Sequence, residues 1–270
     1  MPTRIVRGER VWLRRTRRQW LTLAATWLIG GLAFVVSARF ISDQTIWSFV
    51  LDAPRQALDL FSRMLPPDWL YTQRLWRALW DTVNIATLGT VVAVIIAVPN
   101  AFLAARNTTP HPILRSLALL VITVSRSVNA LIWALILVTV IGPGMLAGIL
   151  AIGFRAIGFI SKLLYEAIEE VNPNTVEAVA STGATKGQIL GYAIFPQVFP
   201  ALIGITVFRW DINIRASTVL GLVGAGGIGL QLNAAVSTLN WNRVLVIFIL
   251  IFGLVLISEW ISARARAVAT

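Results

Sequence analysis

Long apolar runs recur along this chain, and they restrict it to folds that hold their backbone together without water. Six of them, at about residues 19–40, 79–104, 113–141, 145–164, 199–222 and 244–260, approach or exceed the roughly 20 residues that carry a helix across about 30 Å of hydrocarbon. With 57% hydrophobic and 13% charged residues and a mean hydropathy of +0.77, a soluble reading is excluded. The expectation is an all-α, polytopic membrane protein with about six transmembrane helices. The first run is followed by Val36-Ser37-Ala38, which looks like a signal-peptide cleavage site. Its apolar core exceeds the roughly 7–15 residues of a signal peptide, so an uncleaved anchor is expected.

The net charge of +11 would suit nucleic acid if it were spread over a surface, but it is not. Seven arginines (Arg4, Arg7, Arg10, Arg14, Arg15, Arg17, Arg18) stand within the first eighteen residues, directly before an apolar run. That is the positive-inside pattern, with membrane lipid as the partner and no nucleic acid. Residues 1–18 are thus expected to be a basic cytoplasmic tail and 19–40 the first span. Residues 41–77 are expected to be extracytoplasmic, with a short interfacial helix over about 54–65 that ends at Pro66-Pro67-Asp68-Trp69. Residues 78–270 are left as the main transmembrane domain. Counting spans, 106–112 is an inner turn, Gly142-Pro143-Gly144 an outer one, and both termini are cytoplasmic. There is no cysteine and one histidine, His111, in a Pro-flanked turn, so disulfide, thiolate and multi-histidine metal chemistry lack their ligands.

Between the fourth and fifth runs lies a polar island, 166–196, on the inner side. It carries Glu166, Glu169, Glu170 and Glu177 against Lys162 and Lys186, which suggests a basic partner surface. Asn172-Pro173-Asn174 reads as a helix start, with asparagine capping and proline at the first helical position. Glu177 is then expected in the first turn, Gly183 at a sharp turn, and a second short helix from about Lys186 to Ile194 that stops before Pro196.

Charge also falls inside the apolar runs, where it costs at least about 2.5–3.5 kcal/mol per group and so should face a cavity or a partner. In the fifth run, Arg209 and Asn213 share one helical face while Asp211 and Arg215 share nearly the opposite one, at a spacing that suits an ion pair. Arg209 is therefore the less compensated cation. Arg126, with Asn129 one turn on, and Arg155 also lie deep. Such arginines are either structural, bonded to carbonyls or snorkelling, or they line a path for an anion, whose oxygens a guanidinium fork binds two at a time. Past this run, Gly224, Gly226, Gly227 and Gly229 match a dinucleotide-binding spacing, but that pattern needs a preceding strand in a βαβ unit and here it follows a membrane helix. A gate or hinge is the expectation, with a plain loop as the alternative.

Glu177-Ala178-Val179, three residues, Gly183, nine residues and Ala193-Ile194-Phe195-Pro196 together resemble the EAA loop of ABC-importer permeases. Glu177, Ala178, Gly183 and Pro196 stand at the expected spacing, while Val179, Ala193 and Phe195 depart from the usual residues. With the Arg-Trp-Asp-Ile-Asn-Ile-Arg run and the glycine segment following in order, the chain from about residue 60 onward resembles the phosphonate branch of that family. The resemblance implies a type I importer permease fold in a bacterial inner membrane, working as a homodimer on two ATPase subunits and fed by an extracytoplasmic binding protein. It implies phosphonate, phosphite or phosphate as cargo, and docking of the ATPase at Glu177, Ala178, Gly183 and Pro196. Arg126, Asn129, Arg209, Asp211, Asn213 and Arg215 become substrate-path candidates. No cofactor or metal is expected, ATP being bound by the partner; no Walker A element or catalytic set occurs in the chain, so it is expected to be a transport subunit and no enzyme. A methionine-type permease and an ion-coupled secondary transporter are the alternatives.

Overall fold

A computed structural model describes residues 3–6, 9–12 and 17–269. It divides into two units, 1–61 and 62–270. The first contains a short antiparallel hairpin, β1 (Thr3–Val6) with β2 (Glu9–Trp12), then α1 (Arg17–Gln44) and most of α2 (Trp47–Met64). The hairpin is the one departure from an all-helical chain among the described residues. Six of the seven arginines of the basic tail have side chains outside the described residues. Helix α2 was expected only over 54–65; it starts at Trp47 and carries Pro54 inside it. That is tolerable on an exposed helix, because the Val50 carbonyl that loses its donor lies at an exposed residue.

The second unit is a helical bundle built from α3 (Thr72–Ala104), α4 (Pro112–Ser127), α5 (Ala130–Ile141), α6 (Met145–Glu169), α9 (Phe195–Leu220) and α11 (Trp241–Ala269). Two short helices, α7 (Pro173–Ala180) and α8 (Lys186–Ile189), join α6 to α9, and α10 (Ile228–Ser237) joins α9 to α11. Five helices are long and apolar enough to cross a membrane, and the bent pair α4–α5 would make a sixth. The centre is α3 against α6, the most extensive pairing in the bundle. Ala86, Ala93 and Ala97 of α3 and Ala151 and Ala156 of α6 are fully buried. Small residues let two backbones approach where lipid offers no hydrophobic drive for association.

The third run is not one straight span. Its helices α4 and α5 meet at 91°, because Val128 and Asn129 are extended and the Asn129 side chain accepts from Leu131 N at 3.3 Å. An asparagine that caps a new helix cannot also continue the old one. Arg126 and Asn129 are thus on different helices, which corrects the expected one-turn relation. Near the break, the Ser125 hydroxyl donates to the Phe154 carbonyl and accepts from Gly158 N at 2.8 Å. It enters the backbone ladder of α6 and fastens α4 to it.

At one end of the bundle, the turn after α5 meets the glycine segment after α9, with Gly144 N donating to Gly224 O at 3.0 Å. Gly224, Gly226 and Gly227 have φ of +88°, +85° and +74°. The segment is packed: the Thr82 hydroxyl of α3 accepts from Ile228 N at 2.8 Å, and Gly221, Ala225, Gly227, Ile228 and Gly229 are buried. A Cβ on Gly229 would lie 2.1 Å from the Thr218 carbonyl and 2.9 Å from Gly221 Cα. Gly229→Ala is therefore expected to lower stability by about 1–3 kcal/mol or more, read as earlier thermal unfolding in detergent. Gly253→Ala in α11, with nothing within 4 Å of its added carbon, should leave the transition unchanged.

Candidate functional site

At the opposite end of the bundle, the polar island forms an exposed knob. Asn172 caps α7 as its sequence suggested, accepting from Asn174 N at 3.0 Å, with Pro173 opening the helix. Glu177 falls in the second turn and not the first, since α7 begins at Pro173; its side chain is exposed and has no ion-pair partner among the described residues. Gly183 has φ of +81° with open space around it, a left-handed turn that only a residue without Cβ adopts freely. Thr185 then starts α8 with a capping box to Gln188. Between the two short helices lies an open hollow of about 390 Å³ edged by Val179, Thr182, Gly183, Ala184, Gln188 and Tyr192.

The second short helix does not stop before Pro196. It passes through one π-helical turn, Leu190–Ile194, straight into α9. Proline removes a donor and crowds the carbonyl four residues back, and the wider turn just ahead of it takes up that misfit. As a result α8 and α9 form one continuous helical lever, and Pro196 lies on it, exposed. The knob is seated on the bundle through Val176, Ile189 and Leu190, which pack against Ala101, Ala105, Leu164, Ile168 and Val198. Two of the four island carboxylates are occupied: Glu166 pairs with Lys162 at 2.5 Å, and Glu169 accepts from Arg106 N at 2.8 Å.

The deep charges sort into two groups. Asp211 is held by Arg215 on one oxygen and by Ser258 of α11 at 2.8 Å on the other, so it ties α9 to α11. Arg126 is exposed in the last turn of α4, where a cation suits the helix end, and Asn129 is spent on capping α5. Arg209 differs: its residue is only 4% exposed, its Nε has no hydrogen-bond partner, and its guanidinium lies over the Phe159 ring at 5.0 Å. Asn213 is fully buried and bonded to Thr90 of α3 at 2.8 Å. So the structure sets Arg209 and Asn213 apart from the other four candidates. It adds Thr206, whose buried hydroxyl is also unpartnered; the spacing 206, 209, 213 was readable in the sequence, whereas Phe159 comes from another helix.

Residues 89–265 match the family described as binding-protein-dependent transport system inner membrane component. The chain belongs to that family. The permease is 39% identical over 207 residues to a phosphite transport system permease protein of Stutzerimonas stutzeri, covering 77% of this chain and 75% of the other. It is 38% identical over 213 residues to a phosphate-import permease protein of Mycolicibacterium smegmatis, covering 77% of this chain but 40% of that longer protein. In fold it is similar to an inward-facing methionine ABC transporter, with a TM-score of 0.65 at 20% identity over 75% of this chain and 99% of that one. The permease is thus a transport subunit, and the fold is that of the methionine-type importers, as the sequence suggested.

The Asp211 arrangement gives a checkable consequence. Asp211→Ala should release Ser258 and Arg215 together and cost about 1–2 kcal/mol, read as a lower unfolding temperature of the purified permease. Arg126→Ala should be close to neutral in the same measurement.

Proposed function

We propose that this chain is the membrane subunit of an ATP-driven importer for phosphonate or a related oxyanion such as phosphite or phosphate. The observation that carries the engine is the exposed knob of α7 and α8, with Glu177 outward and unpaired, rigidly continuous with α9. A partner ATPase docks on Glu177, Ala178, Gly183 and Pro196; its basic group meets Glu177, and its motion on ATP binding swings the α8–α9 lever that carries Arg209. Two copies of the chain sit on two ATPase subunits, and an extracytoplasmic binding protein delivers the anion at the glycine-rich end. The knob and both termini face the cytoplasm of a bacterium, with the arginine-rich tail against lipid. Docking energy thus biases an equilibrium between inward and outward states.

The cargo rests on the relatives' cargo and on the deep, unpaired Arg209. Among the six path candidates, Arg209 and Asn213 face the passage, Asp211 with Arg215 and Asn129 hold the helices that frame it, and Arg126 lies exposed at the end of α4. The packed Gly224–Gly229 turn serves as the outer seal. Methionine-type permeases share the fold, and Arg209 favours an anion over that zwitterion.

Purifying the chain from its native membrane with its ATPase and binding protein, and measuring which solute the binding protein holds, tests the whole reading. A phosphorus oxyanion is expected; methionine, or uptake that persists without the ATPase, would overturn it. Glu177→Ala and Gly183→Val should lower uptake by about tenfold or more while the permease still inserts in the membrane, and full uptake by both would remove the docking role.

A further inference from the structure

Three buried polar atoms of the bundle have no hydrogen-bond partner and lie on one stripe of α9: Thr206 Oγ1, Arg209 Nε and Asn213 Oδ1. Their positions i, i+3 and i+7 fall on the same helical face, each next to its neighbour on the surface of the helix. Folded proteins leave few buried polar groups unpaired, and a cluster of them on one face calls for a missing partner.

The chemistry of that partner can be read from Asn213. The Thr90 hydroxyl gives its one proton to the Ala86 carbonyl at 2.6 Å. Its oxygen therefore accepts from Asn213 Nδ2 at 2.8 Å, and this fixes the amide: Oδ1 is the end left over, an acceptor with no donor. Arg209 supplies the opposite demand, a buried cation whose guanidinium lies over the Phe159 ring at 5.0 Å and whose Nε has no hydrogen-bond partner. Asp211, two residues on, is engaged with Arg215 and Ser258 and does not neutralise it. The face thus asks for one molecule that is anionic and also carries a proton to donate.

We propose that Thr206, Arg209 and Asn213 form a station for a tetrahedral oxyanion that retains an ionisable proton, and that this station discriminates against sulfate. Arg209 balances the charge, Thr206 donates to or accepts from one oxygen, and Asn213 Oδ1 accepts from a P–OH group. A phosphite- or phosphonate-type anion loses its last ionisable proton with a pKa of about 6, so it presents a P–OH group to Oδ1 mainly at and below that pH. Sulfate has none, and would set an oxygen lone pair against Oδ1 in a buried site. That mismatch predicts discrimination on the order of tenfold to a hundredfold. Helix α9 closes the face in this conformation, and the anion meets it in passage between states.

The proposal rests on the oxyanion reading of the permease, and the two can fail separately. In whole cells, uptake of phosphite, phosphate and a phosphonate by the unaltered transporter tests the reading: uptake of none of them sinks both. The station itself is tested on the purified complex of permease and ATPase without binding protein, by phosphorus NMR line broadening of phosphite at about pH 6, where the P–OH group is retained, with sulfate as competitor. Broadening that resists a tenfold excess of sulfate supports it; displacement by equimolar sulfate, or no broadening in a complex that imports phosphite, overturns it without any variant. Arg209→Gln should weaken phosphite binding by about tenfold or more and Arg209→Lys by less, and Asn213→Leu should let sulfate compete within about threefold of phosphite. Wild-type phosphite affinity in Arg209→Gln, or undiminished rejection of sulfate in Asn213→Leu, would overturn the assignment.

Discussion

Every break in the helices of this protein has to be covered by another part of the protein, because hydrocarbon provides no water to bond a free amide or carbonyl. Three hydroxyl or amide side chains do much of that work. Thr82 of α3 caps the amide of Ile228 where the glycine segment turns. Asn129 caps α5 where the third run bends. Ser125 sits between the Phe154 carbonyl and the Gly158 amide, so that α4 docks on α6 through the backbone itself. The close approach at these points explains the small residues there: a Cβ on Gly158 would meet Ser125 Oγ at 2.6 Å.

The same constraint separates structural from functional polarity. Asp211 and Arg215 satisfy each other and Ser258, and are therefore explained by helix association. Arg209, Asn213 and Thr206 are buried next to them with capacity unspent. In a lipid-embedded bundle such groups are costly, and their persistence on one stripe of α9 is the physical basis for assigning them to cargo. Because α9 continues unbroken from α8, the stripe is mechanically tied to the knob. The helix runs on from the knob to the stripe without a break.

The sequence made much of this legible. Apolar run length gave the number of spans, and the capped, glycine-broken island gave the knob, since caps and left-handed turns are local chemistry. The Asp211–Arg215 pair and the opposed faces of α9 followed from helical periodicity. The errors were also local in form. Pro196 does not end a helix, because a π turn absorbs it; Glu177 lies in the second turn of α7; and the third run, read as a single span, bends by 91°, because Val128-Asn129 inside an apolar stretch carries no strong breaking signal.

By itself, then, the sequence determined that the chain is a multi-helix membrane protein with an exposed, capped polar island between two spans, because hydrophobic length and capping are properties of neighbours in the chain. Only the tertiary structure decided which buried charges are spent. Whether Arg209 has a counterion, and which end of the Asn213 amide is free, depends on Phe159 and Thr90, residues 50 and 123 positions away. No local pattern encodes those meetings; they exist because small residues on α3 and α6 let those helices close together beside α9.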